Sequence, residues 1–262
     1  MKRLCQLLIF FFISAACTAA VKDYGLQVLD RYPHDASAYT QGLFFHNGTL
    51  YETTGQYGQS SVRTVDLTSG KVLKNIPIGS RYFGEGSCVV DGKMYVLTWT
   101  NKLAFLYDAE SLKKEKMLSY PREGWGLASI PEDRRREFSN ALMVASDGSS
   151  ALYFLDSRLA TVKSVTVRLN GRPVRLLNEL EWIDGKVWAN IYTTDLIVII
   201  DPLTGNVTGK IDCSGLIPQE KRTPTMDVLN GIAARPSEDG GTEVFLTGKN
   251  WPWLFKVSVS ER

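Results

Sequence analysis

Few side chains in this sequence could carry acid–base or nucleophilic chemistry, and one of them is oddly placed. In RYFGEGSCVV, Arg81 to Val90, the carboxylate of Glu85 stands between two glycines at the mouth of an apolar strand. Carboxylates are rarely buried without a partner. The same local pattern recurs along the chain as TQGLFF, GEGSCV, GWGLAS, LNELEW and LNGIAA: a variable residue, usually a glycine, then an aliphatic residue. The variable positions are Gln41, Glu85, Trp125, Asn178 and Asn230. A second series lies four positions into the next strand of each unit: Gly55, Trp99, Asp147, Tyr192 and Lys249. If both series converge, one funnel holds a single acid–base group (Glu85), the amides of Gln41 and Asn178, the ammonium of Lys249, and a wall of Trp99, Trp125 and Tyr192. A carboxylate among aromatic rings should have a raised pKa, which lets it pass protons in both directions near neutrality. That chemistry suits a proton shuttle acting on a small substrate held between indoles. The glycines beside Glu85 read as room for substrate backbone and for the strand to enter the channel.

Competing chemistries find little support. The only histidines are His34 and His46, too few for a Ser-His-Asp or His-rich metal site. GEGSCV and GWGLAS are not dinucleotide fingerprints, because no helix follows them. Cys88 and Cys213 lie in no CxxC or His-containing setting, so two free, buried thiols are expected. The net charge is +2 over 262 residues with scattered Lys and Arg, leaving no electrostatic footprint for nucleic acid. The mixed-sign run EDRRREF, Glu132 to Phe138, reads as a solvated loop.

The elements that must position these residues are β-strands. Helical periodicity is almost absent, and short β-rich runs alternate with Gly, Asn, Asp and Ser turns. Units beginning NGTLYETT, DGKMYVLT, NALMVASD, DGKVWANI and GGTEVFLT start about 45 residues apart, the period of a four-stranded propeller blade. This predicts an all-β, five-bladed β-propeller. The last unit stops after its third strand, and an open edge would leave unpaired backbone groups. Gly25 to Tyr32, GLQVLDRY, is therefore expected to return as the missing outer strand of the last blade. IPQEKRTPTMDV is expected to be an inserted loop with a short helix. Trp182 and Trp188 read as blade packers, while Trp251 and Trp253 could pack or line a rim.

Read together, YTQGL, TTGQYGQSSVR, FGEG, LTW, GWGL, SDGS, LNELEWIDGKVWANIY, IDPLTG, LNGIA and LTGKNWPWLF resemble the plant-type glutaminyl-peptide cyclotransferases, also found in bacteria. The resemblance covers Tyr39 to Val257. It implies a five-bladed propeller that converts the N-terminal Gln of peptides or proteins to pyroglutamate with release of ammonia, without a catalytic metal or other cofactor. It places the acid/base glutamate on Glu85, substrate-binding groups on Gln41, Asn178 and Lys249, and pocket tryptophans on Trp99 and Trp125. The family usually has Trp where this chain has Tyr192. Two other functions are compatible with the residues alone: a non-enzymatic exported propeller that binds peptides, and a metal-dependent propeller lactonase using Glu85, Asn178 and Asn230.

The N-terminus reads as a targeting segment. MKR supplies positive charge, LLIFFFISAA is a short apolar run, and TAA offers small residues before Val21. Residues 1–20 are thus expected to be a secretory signal and 21–262 a single propeller domain, exported to the periplasm or secreted, monomeric and without a membrane span. A second reading takes Cys17 of SAAC as a lipidated residue, with Ser14 standing where such sites usually carry Leu.

Overall fold

Residues 20–262 are described here in a computed structural model. The expected signal segment, apart from Ala20, and Cys17 lie outside them. The described chain is all-β apart from two short 3-10 helices.

A long first strand, β1 (Lys22–Pro33), precedes a series of up-and-down sheets. The first sheet contains β2 (Thr40–His46), β3 (Thr49–Thr54), β4 (Ser61–Val65) and β5 (Val72–Pro77). The second has β6 (Gly84–Val90), β7 (Lys93–Thr98), β8 (Leu103–Asp108) and β9 (Lys114–Ser119). The third runs through β10 (Leu127–Ser129), β11 (Met143–Ala145), β12 (Ala151–Leu155) and β13 (Thr161–Thr166). A hairpin, β14 (Arg168–Leu169) and β15 (Arg172–Pro173), follows it. Next come β16 (Leu177–Ile183), β17 (Lys186–Ile191), β18 (Leu196–Ile200) and β19 (Val207–Asp212), then β20 (Leu229–Pro236), β21 (Thr242–Gly248) and β22 (Trp253–Glu261).

The hairpin turns follow from their sequences. Asn47-Gly48, Asp91-Gly92 and Asp184-Gly185 each place two successive residues at positive φ. A two-residue turn needs that geometry to match the right-handed twist of its strands.

β1 pairs antiparallel with β22 and so becomes the outer strand of the last sheet, as its sequence predicts. It also does something the sequence does not announce. Lys22 to Tyr24 pair in parallel with Gly209 to Ile211 of β19, which joins two four-stranded units into one eight-stranded sheet. The first strands β2, β6, β10, β16 and β20 pack against one another in a closed circuit. Five hydrophobic clusters each fill the gap between neighbouring sheets. The cluster of Leu43, Leu50, Ala233 and Phe245 joins the first sheet to the last. An all-β ring of this kind is consistent with a propeller.

Where the first strands meet, the axis is plugged. Glu179 of β16 is buried, and its carboxyl accepts the backbone N–H groups of Leu43 in β2 (3.3 Å) and Ile232 in β20 (2.9 Å). Glu181 accepts from Ala234 (3.2 Å). Inner-strand N–H groups facing the axis have no further strand to pair with, and unpaired buried donors are costly.

EDRRREF is a 3-10 helix, Glu132–Phe138, rather than a solvated loop. Phe138 anchors it: the ring is fully buried and stacks on Phe154 at 4.9 Å. The inserted loop holds the second 3-10 turn, Gln219–Lys221. Trp182 packs edge-on against Phe138, and Trp188 and Trp251 lie in the cluster between the last two sheets. Cys88 and Cys213 are free and buried. Among the described residues no helix is long and apolar enough to cross a membrane.

Candidate active site

The inner strands are irregular where they begin. Pairing between the first and second strands slips between Thr40 and Gly42, between Gly84 and Ser87, between Leu177 and Leu180, and between Leu229 and Ile232. Each slip brackets one residue of the axial series: Gln41, Glu85, Asn178 or Asn230. A bulge leaves a residue unpaired and re-aims its side chain, which is why bulges collect beside functional sites. Trp125 sits just ahead of the short strand β10.

These bulges turn Gln41, Glu85 and Asn178 toward a cavity of ≈ 160 Å³, which is lined by Tyr39, Gln41, Phe83, Glu85, Trp99, Trp125, Asn178, Tyr192 and Lys249. All seven residues singled out from the sequence as site candidates therefore line one cavity. Three other members of the two series do not. Asn230 is buried behind the wall, Asp147 lines a neighbouring cavity with Glu123 and Arg175, and Gly55 is covered by the ring of Phe83. A larger groove of ≈ 530 Å³ runs beside β17 and β21, but charged groups along it are tied into ion pairs such as Lys186–Asp201 and Lys256–Glu243.

Glu85 is 5% exposed and accepts a hydrogen bond from Gln41 Nε2 at 3.1 Å. Asn230 Nδ2 donates to Gln41 Oε1 (3.2 Å) and to the carbonyl of Thr40 (2.9 Å), fixing which end of the Gln41 amide faces the carboxyl. Burial pushes the Glu85 pKa well above the ordinary carboxylate range. The Lys249 cation opposes that push, and the Glu123 carboxylate adds to it. Lys249 is 2% exposed, and its ammonium sits 4.8 Å from the ring centres of both Tyr39 and Tyr192. Burial lowers its pKa, against the pull of Glu85 and Asp227. Cation–π contacts to two rings hold an otherwise costly buried ammonium in place.

The aromatic wall is tiled edge to face. Phe83 meets Trp99 at 5.6 Å and Tyr39 at 6.0 Å, and Trp125 meets Tyr192 at 5.5 Å. Trp125 rests on Gly148, where an added Cβ would come within 2.6 Å of the indole; the φ of +75° there also favours glycine.

The glycines beside Glu85 do not leave room for substrate. A Cβ on Gly84 would meet Ile78 Cδ1 at 2.6 Å and the Thr54 carbonyl at 2.7 Å, and one on Gly86 would meet the Trp125 carbonyl at 2.5 Å. They are small so that neighbouring strands can close on one another.

Tyr39 and Phe83 were missed in the sequence reading, although a signal for them exists. They stand two residues before Gln41 and Glu85, and residues two apart on an extended chain share a face.

A family model described as glutamine cyclotransferase matches residues 4–259. The chain belongs to the glutamine cyclotransferase family. It is 39% identical over 243 residues to the glutaminyl-peptide cyclotransferase of Arabidopsis thaliana, a match covering 90% of this chain and 72% of that relative. The crystal structure of Myxococcus xanthus glutaminyl cyclase matches it with a TM-score of 0.81 at 35% identity, covering 92% of this chain and 99% of that one. Membership makes the chain an enzyme of the acyltransferase class.

Proposed function

We propose that the chain cyclises the N-terminal Gln of peptides or proteins to pyroglutamate with release of ammonia, using Glu85 as its proton shuttle. The observation that carries this reading is a single buried carboxyl, with a raised pKa, in an aromatic cavity that also holds a buried ammonium. In the reaction the substrate α-amine nitrogen bonds to the δ-carbon of its own side-chain amide, and the bond from that carbon to the amide nitrogen breaks. Glu85 takes a proton from the attacking amine and returns one to the departing nitrogen, so no net proton is gained or lost. Gln41 is committed at both ends, to Glu85 and to Asn230. That leaves Asn178 and Lys249 to hold the oxygen that becomes negative as the ring closes. Trp99, Trp125 and Tyr192 hold the glutaminyl chain in its cyclising shape, where fixing a flexible reactant lowers the entropic part of the barrier.

In the same reading the five four-stranded units are five propeller blades, residues 21–262 are one domain that works as a monomer, and residues 1–20 direct its export. The deciding experiment is Glu85→Gln with a Gln-initiated peptide. Ammonia release should fall by about a hundred-fold or more while the peptide still binds, the scale expected for losing a general acid–base group. A variant releasing ammonia near the wild-type rate sinks the assignment. A wild-type chain that binds the peptide without releasing ammonia is a binding protein instead.

A further inference from the structure

Two residues ahead of the axial positions stand Tyr39, Phe83, Glu123, Leu176 and Val228. The first two line the cavity with rings; the third is an acid. Glu123 is exposed, and a surface carboxylate usually contributes little. Its partners here are unusual. Glu123 Oε2 accepts the indole N–H of Trp99 at 3.0 Å and that of Trp125 at 3.3 Å. An indole nitrogen only donates, and water could satisfy either one. Two indoles from neighbouring units instead converge on one oxygen. That shared oxygen ties together the two halves of the aromatic wall, Phe83–Trp99 on one side and Trp125–Tyr192 on the other. Trp99 most needs the tether, since it is 37% exposed and sits just beyond the end of β7.

We propose that Glu123 is a positioning residue for the cyclisation, clamping Trp99 and Trp125 at the spacing that receives the glutaminyl side chain. The inference rests on the activity proposed above. Glu123 is not among the residues that line the cavity and makes no hydrogen bond to Glu85, so it acts through the indoles. Its charge adds a second, separable effect, because it contributes to the raised pKa of Glu85.

The test compares wild type, Glu123→Ala and Glu123→Gln, reading ammonia release from a Gln-initiated dipeptide amide across pH, and acrylamide quenching of indole fluorescence. Alanine removes clamp and charge; glutamine keeps an acceptor oxygen and removes only the charge. In Glu123→Ala, KM should rise roughly tenfold with kcat changed by less than about threefold, and quenching should increase. Glu123→Gln should recover most of the KM loss. Both variants should shift the acidic limb of the kcat/KM profile to lower pH. A KM in Glu123→Ala within about twofold of wild type overturns the proposal, as does a KM rise that Glu123→Gln fails to relieve. If the wild type releases no ammonia, the activity reading has failed and not the clamp. The quenching measurement needs no turnover and then decides the clamp alone, with unchanged quenching in Glu123→Ala overturning it.

Discussion

In the proposed reaction Glu85 sets the pH behaviour of the site. Its folded pKa is raised by burial, so the ionised form that would accept the proton of the amine develops above the ordinary carboxylate range of about 4.3. The acidic limb of kcat/KM should lie correspondingly higher, read from ammonia release across pH. The same shift acts on stability. A group whose pKa rises on folding favours the folded state below its unfolded pKa, and that contribution is lost as pH rises through the folded value. Glu85→Gln keeps an acceptor for Gln41 and cannot ionise. It should therefore match or exceed wild-type stability, by an amount that grows from pH 4 to pH 8 in urea titrations; a constant difference would contradict the shift. The seven candidate residues were legible in the sequence because the repeat supplies their register. Asn230 also belonged to that register, yet it stands behind Gln41, because the alignment gives a position on a strand and not the depth of a side chain.

At the scale of elements, the inner strands are held close by backbone. A Cβ on Gly42 would meet the Ser87 nitrogen at 2.8 Å, one on Gly86 the Leu127 nitrogen at 2.6 Å, and one on Gly126 the Asn178 carbonyl at 2.0 Å. These three glycines let each first strand approach the next, and Gly86 also donates its N–H to the Trp125 carbonyl at 2.7 Å. Gly86→Ala must push β6 away from the segment carrying Trp125. It should destabilise the fold by about 1–3 kcal/mol and raise KM, measured by urea unfolding and steady-state kinetics. A variant with wild-type stability would show that the strands can separate without cost. The sequence displayed these glycines as a motif, but their cause is in the neighbouring strand, which local sequence cannot show. The EDRRREF segment was misread for a similar reason: its charges face solvent, while a single ring, Phe138, docks it.

At the scale of the molecule, the ring closes at a seam where β1 runs along β22 and the chain then enters β2. His34 lies in that seam. Its N–H donates to the Pro252 carbonyl (3.0 Å), its Nδ1 donates to the Trp251 carbonyl (2.7 Å), and its Nε2 meets Glu52 Oε1 at 3.0 Å. Glu52 also accepts from Thr40 (2.6 Å) and Arg63 (2.9 Å), and Arg63 reaches Asp35 (2.9 Å). Burial alone would raise the Glu52 pKa, but the His34 and Arg63 charges outweigh it and hold it at about 2. The depressed pKa supports the fold above the unfolded carboxylate value and is lost as pH falls toward 2, while the raised pKa of His34 supports it below about 6.5. Glu52→Gln leaves His34 buried without a counter-charge and Arg63 with Asp35 as its remaining acidic partner. It should cost about 3–5 kcal/mol near pH 5–6, with the gap to wild type narrowing toward pH 2 in denaturant titrations. A loss that does not vary with pH would rule out the charge argument.

The sequence by itself determined the all-β class, the repeat, the return of β1 beside the last strand, and the two series of positions from which the cavity residues are drawn. Each is written in local periodicity and turn chemistry that repeats at a fixed spacing. Only the tertiary structure decided which members of the two series reach the cavity, that β1 also bridges to β19, that Glu179 plugs the axis, and that Glu123 joins two indoles. Those outcomes depend on how neighbouring sheets approach, and that distance is set by packing between strands far apart in the chain.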